Sequence, residues 1–402
     1  MNSSLRLILE REFFIRTSSG KRTISNRGGG APTVFGNNLP PYPLLKIDSA
    51  KITRNAKKVI GLCSRRNISA YPVLKAACGF APAVEAALKS RPEGIFDSSI
   101  TGLAGSGRDT VGLKRGLLKL STRGELAAAG SALDAVDYFF VSDIGHISDL
   151  SEIKPGAMVI IAVDSGDLRE GVPLCELNRF LAAALKFKKI RIFGAATNHA
   201  CFSGIVPSAP IIDKFVEKIE EAERKNRFSF GMVSGGNSSL ISLIEEKKAN
   251  PRVNNIRVGE AIFLGSDVLS RKPIAWLEQN TFTVEAEVVE CREKESILEG
   301  VRTQNAFNEI IDFEKRKARP GAKTKRAIVS LGKKHFYVNG IKPLEEGIFV
   351  LGASSDYLIA DVSECARDIR CGDTLEFALD YAALMSAMRG AGKFISYKLI
   401  NR

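Results

Sequence analysis

Histidine and tryptophan are scarce in this 402-residue chain, which has three histidines (His146, His199 and His335) and one tryptophan. Histidines so far apart, with few nearby partners, give no pattern for a metal cluster, and no metal is expected. Seven cysteines (Cys63, Cys78, Cys175, Cys201, Cys291, Cys365 and Cys371) include no C-x-x-C pair. An odd, unpatterned set excludes a disulfide frame and reads as reduced thiols inside a cell. No apolar run nears the roughly 20 residues of a membrane span, so no membrane partner is expected. Acid is short as well, leaving a net charge of +13. Residues 1–40 carry six Lys/Arg against two Glu, and the run from Lys315 to Arg326 carries seven Lys/Arg and no acid. Neither segment interleaves aromatics with its cations, so a tail and a solvated loop are expected, not a nucleic-acid partner.

What is present is an ordinary globular composition, 45% hydrophobic and 26% charged, long enough for two domains. Residues 1–40 form an Arg-, Ser- and Gly-rich N-terminal extension, either disordered or a mitochondrial or other organellar presequence. Glu10 and Glu12 count against the presequence, and a cytoplasmic location is the first expectation.

From residue 41 to 275, short apolar runs alternate with amphipathic stretches. Strands are predicted at Ile68–Leu74, Gly94–Phe96, Leu117–Leu120, Tyr138–Val141, Met158–Val163, Ile190–Phe193, Phe228–Val233 and Ile256–Val258. Helical spacing falls between them at Pro82–Lys89, Glu125–Leu133, Leu174–Phe187 and Ile211–Lys225. Eight such repeats predict an α/β fold, a closed (β/α)8 TIM barrel. Residues 276–402 carry short strands between glycines and charged turns, which predicts a C-terminal β-rich domain.

Polar clusters follow the barrel strands, where such barrels hold their sites. Lys75 ends the first strand; by position alone, such a lysine is more often a snorkelling surface residue than a catalytic one. Ser234-Gly-Gly-Asn-Ser-Ser239 precedes a helical pattern and suits a phosphate, or is a plain Asn/Ser cap. Gly259 and Glu260 follow the eighth strand, the other usual phosphate position.

Four passages in order, Val163-Asp-Ser-Gly-Asp-Leu-Arg-Glu-Gly171, Val233-Ser-Gly-Gly-Asn-Ser-Ser239, Asn255-Ile-Arg-Val-Gly-Glu260 and Leu351-Gly-Ala-Ser-Ser-Asp-Tyr-Leu-Ile-Ala-Asp-Val362, resemble the alanine racemase superfamily. These are pyridoxal 5′-phosphate (PLP) enzymes of fold type III, and the closest likeness is to the ornithine racemase-like branch. The resemblance implies a Schiff base between Lys75 and PLP, and Arg257 against the ring nitrogen. It implies that Asn237, Ser238, Gly259, Glu260 and Tyr381 hold the phosphate. Arg169 would meet the phenolic oxygen and the substrate carboxylate, and Asn198 would pack on the ring face. His199, the next residue, would turn the other way and be structural.

Ser355 and Asp356 match a substrate-binding loop that reaches a neighbouring subunit, which implies a homodimer. Ala162 stands where some alanine racemases place a modified lysine that braces the arginine. The family's second acid/base is a tyrosine, and Thr303-Gln-Asn-Ala-Phe-Asn308 offers none. The expected function is racemisation of an amino acid, with a basic one such as ornithine or lysine ahead of alanine. A non-catalytic PLP-binding protein and a PLP-dependent decarboxylase are the alternatives.

Overall fold

A computed structural model describes residues 42–105, 112–297, 299–311 and 321–400. The N-terminal extension and residues 315–320 of the basic run lie outside the described residues. The strand β1 (Leu44–Asp48) comes first, then the barrel strands β2 (Ser69–Pro72), β3 (Gly94–Asp97), β4 (Lys114–Leu117), β5 (Tyr138–Val141) and β6 (Met158–Asp164). The two-residue β7 (Val172–Pro173) pairs beside the end of β6. The barrel continues with β8 (Arg191–Ala196), β9 (Met232–Ser234) and β10 (Asn255–Val258). All eight barrel strands run parallel in the order β2-β10-β9-β8-β6-β5-β4-β3. A single bridge between Val73 and Phe96 joins the two ends into a ring. Each predicted strand has its counterpart, although β4 lies three residues before Leu117–Leu120 and β9 occupies only the end of Phe228–Val233.

The helices follow their apolar spacing. In Ala209–Asn226 the buried side chains are Ile212, Phe215, Val216, Ile219 and Ala222, a single stripe at helical intervals. Inside the barrel, Tyr71, Val73, Phe96, Phe140, Ile160 and Met232 pack as a separate core. The Phe96 ring stands 5.7 Å from Tyr71 and 5.8 Å from Phe140, centroid to centroid. Gly116 makes room for it, since a Cβ there would lie 2.0 Å from the Phe96 ring.

The second sheet contains β11 (Phe282–Glu295), β12 (Lys323–Val329), β13 (Ile341–Pro343), β14 (Phe349–Ala353), β15 (Leu358–Asp361), β16 (Thr374–Leu379) and β17 (Ser396–Ile400). Its path is β13-β16-β11-β12-β15-β14. The strand β1, within the span expected for the barrel, instead pairs antiparallel with β11 and parallel with β17. Part of the basic run is the start of β12. Lys323 and Lys325 there lie opposite Glu295 and Glu293 of β11. Lys325 also sits 2.5 Å from Asp368.

Phe96 is fully buried. Its truncation removes the centre of the barrel's interior packing. Phe96→Ala is expected to cost about 3–5 kcal/mol, measured as a lowered urea midpoint with an unchanged m value.

Candidate active site

A cavity of about 520 Å³ opens where the barrel strands end. Lys75 reaches it from a single helical turn, Leu74–Ala77, directly after β2. That turn is anchored because Leu74, Ala76 and Ala77 are buried, and Val73 donates its N–H to the Val258 carbonyl at 2.9 Å. The Lys75 Nζ stands 6.0 Å from the centre of the Tyr381 ring. Tyr381 begins the helix Tyr381–Gly390, capped by Asp380, whose Oδ1 accepts from the Ala383 N–H at 2.8 Å. Burial pushes the Tyr381 phenol above its ordinary range, so it is a neutral donor at physiological pH. Asp97, at the end of β3, is also buried, and its carboxyl is raised by that burial against the opposing charge of Lys75.

Arg257 crosses the mouth from β10 and is 3% exposed. Its NH1 donates to Ser234 Oγ at 2.6 Å and its NH2 to the Thr197 carbonyl at 2.6 Å. Ser234 in turn donates to Asn255 Oδ1 at 2.6 Å. The guanidinium lies 5.5 Å from the Phe140 ring centre. Burial pulls it down to about 10, which leaves it charged at neutral pH. Its Nε–H has no protein partner and is free for a ligand in the cavity that Arg257 lines.

The loops after β6, β8 and β9 are joined by a polar hub. Asp167 Oδ1 accepts from the backbone N–H groups of Cys201, Phe202 and Ser203 at 3.1, 3.0 and 3.3 Å. Asn198 donates to the other oxygen of Asp167 at 2.9 Å. Burial alone would raise the Asp167 carboxyl, but these donors and Arg169 outweigh it and hold the group below its ordinary value. Asn237 donates to Asn198 Oδ1 at 3.1 Å and to the His199 carbonyl at 2.8 Å, while its own Oδ1 caps Ser239 N. Gly236, with φ +145°, provides the backbone turn that brings Asn237 into place.

The structure therefore gathers Lys75, Arg169, Asn198, Asn237, Ser238, Arg257, Gly259, Glu260 and Tyr381 around one cavity. Three of them are engaged in ways the sequence did not reveal. The Arg169 fork is taken by Glu170 through its Nε and NH2, the latter at 2.6 Å from Oε1. Glu260 is bound by Arg271 at 3.1 Å and by Ser266. Asn237 spends its amide on neighbouring loops, as above. Ser355 and Asp356 do not line the cavity of their own chain; Asp356 pairs there with Lys334 and Ser355. Sequence reading gave no individual role to Asp167, Thr197 or Ser234, polar residues at or just beyond the same strand ends as the residues it singled out.

The cavity walls carry Lys75, Lys119, Arg169, Arg257 and Arg271 against Glu170 and Glu260, a surplus of three cations. That surplus suits a ligand bearing both phosphate and carboxylate. The Ser239 hydroxyl, beside the Asn237 cap, is buried without a partner. With the primary amine of Lys75, the free Arg257 Nε–H and apolar walls at Val73, Phe140 and Ala196, the residues fit PLP. Among the described residues no cluster of three or more metal-ligating side chains occurs, and no helix is long and apolar enough to cross a membrane.

A barrel with a lysine after its first strand, and a β sheet following it, defines a fold-type III PLP-dependent enzyme. The family described as alanine racemase, N-terminal domain, matches residues 47–267, and the chain belongs to it. A lysine racemase of Thermotoga maritima is 33% identical over 358 residues, covering 86% of this chain and 96% of that protein. An ornithine racemase of Acetoanaerobium sticklandii is 28% identical over 352 residues, with coverage of 86% and 96%. The solved alanine racemase of Bartonella henselae has a TM-score of 0.66 at 17% identity, covering 90% of this chain and 100% of that one. At that identity the likeness is one of fold.

His199 is fully buried behind the site, with Nε2 2.9 Å from Ser165 Oγ. Burial pulls its imidazole down to about 4. The unfolded chain takes up a proton below about pH 6.5, whereas the folded chain resists until about pH 4. Stability is thus lost as pH falls through that window, by about 3 kcal/mol. His199→Gln is expected to flatten this part of the curve, read by urea denaturation at pH 7.5 and 4.5.

Proposed function

We propose that this PLP-dependent racemase inverts a basic amino acid, lysine or ornithine, with Lys75 carrying the cofactor. The observation that carries the reading is the Lys75 amine at a cation-rich barrel mouth that it shares with a buried Arg257, whose guanidinium has N–H groups to spare. The choice of a basic amino acid rests on the lysine and ornithine racemases to which the chain is similar along most of its length.

When bound, PLP supplies an electron sink that makes the substrate Cα–H acidic. Arg257 faces the ring nitrogen in this reading. Being charged, it donates and cannot hand over its proton, which keeps the sink weak and favours return of the Cα proton over side reactions. Ser238, the backbone at Gly259 and Glu260, and Tyr381 would hold the phosphate, and Asn237 and Asn198 shape the loop above it. Arg169, aimed by Glu170, binds the substrate carboxylate. Lys75 Nζ takes or returns the Cα proton on the face it occupies.

The cavity's two acids, Glu170 and Glu260, are both paired with arginines. A substrate side-chain ammonium therefore needs an acid from outside the chain's own cavity. The exposed Ser355-Asp356 loop provides one if a second copy presents it, which makes a homodimer the working assembly.

Chiral chromatography of L-lysine and L-ornithine incubated with the PLP-loaded protein is expected to show the D-enantiomers. Bound PLP with no inversion of either, or with release of carbon dioxide instead, would refute the reading. Lys75→Ala is expected to remove the yellow cofactor band and the activity together. Asp356→Asn is expected to raise KM for lysine about tenfold or more while leaving KM for alanine unchanged, measured by initial rates.

A further inference from the structure

Racemisation needs a proton carrier on each face of Cα, and Lys75 provides only one. The other titratable groups on the cavity wall are mostly committed. Lys119 pairs with Glu125 at 2.6 Å, Arg169 with Glu170, and Glu260 with Arg271. Arg257 stays charged. Tyr381 stands on the Lys75 side of the cavity. Cys201 remains.

We propose that the Cys201 thiol is the second acid/base, acting on the face of Cα opposite Lys75; this rests on the racemase reading above. The ring order places the two groups across the mouth. Lys75 follows β2 and Cys201 follows β8, three places round a ring of eight with β10 and β9 between. The buried Arg257, on β10, lines the same space with its Nε–H unpartnered, so the thiol, the amine and a free donor share one cavity.

Cys201 is also held in position. Its backbone N–H is fixed by Asp167 at 3.1 Å, and its Sγ lies 3.2 Å from Asn237 Nδ2. Arg169 and Arg257 are near enough that a charge on this sulfur acts on both guanidiniums. A thiol can both give and take a proton, as this role requires. The step balances without a further reactant. One carrier would remove the Cα proton and the other would return its own proton to the opposite face, the bound cofactor being what supplies a sink for the bonding pair. Both carriers then re-equilibrate with solvent.

The test uses PLP-loaded wild type, Cys201→Ala and Cys201→Ser in D2O, with L-lysine and D-lysine supplied separately. The variants are expected to keep the cofactor band and to racemise about 100-fold more slowly or worse. One enantiomer should still exchange its Cα hydrogen for deuterium with configuration retained, by Lys75 alone, and the other should not. Racemisation within about threefold of wild type, or exchange lost equally for both enantiomers with the band intact, would overturn the proposal. A second readout does not depend on turnover: iodoacetamide labelling mapped by peptide mass. Loading PLP and lysine should slow labelling of Cys201 at least about tenfold and leave the exposed Cys175 and Cys371 unchanged. Unaltered labelling of Cys201 would refute it even if the wild type proved inert toward lysine, an outcome that would overturn only the substrate reading.

Discussion

A buried, charged arginine organises the mouth of this barrel. Removing a guanidinium from water is costly unless its N–H groups are met, and breaking such an arrangement costs about 3–5 kcal/mol. Arg257 meets that demand through Ser234 at the end of β9 and the Thr197 carbonyl just past β8. Three adjacent strands are thereby held in fixed relation at the point where their loops diverge. These bonds use two of the five guanidinium N–H groups, and Arg257 lines the cavity, so the same side chain that braces the scaffold has donors left for a ligand.

The loop layer above depends on an anion in the same way. Asp167 collects three backbone N–H groups and the Asn198 amide, so the loop after β8 is folded around a carboxylate carried by the loop after β6. Asn237 extends this to the loop after β9. Loops are usually the softest part of a barrel. Here three of them share one hydrogen-bond network, which lets side chains as far apart in sequence as Arg169, Cys201 and Asn237 keep a common geometry.

How much of this was legible depended on whether the signal was local. Barrel strands were found most accurately where they are short apolar runs buried on both faces, as in Tyr138–Val141, where predicted and observed bounds agree. The strand β1 was missed because Leu44–Asp48 carries no distinguishing pattern and its partners lie more than 230 residues away. The helix bearing Tyr381 was missed as a helix, although Tyr381 itself was named by resemblance. Lys75 and the loops after the seventh and eighth strands were readable as cavity residues from their position at strand ends, whereas Arg257 was named by resemblance. The pairing of Arg169 with Glu170 and of Glu260 with Arg271 was not, since sequence shows which charges are present and not which of them neutralise each other.

Those pairings bear directly on selectivity. An arginine whose fork is already filled by a neighbouring carboxylate is aimed, and its outer edge is what a substrate carboxylate meets. The braced arginine of some alanine racemases is held by a modified lysine at the position where this chain has Ala162, buried in the barrel interior. A glutamate one residue along from Arg169 provides a different brace, from the loop instead of the strand. It also uses up an acid. With both cavity acids paired to arginines and three cations in surplus, the cavity is complementary to the anionic parts of a ligand and offers no unpaired acid to a cationic side chain.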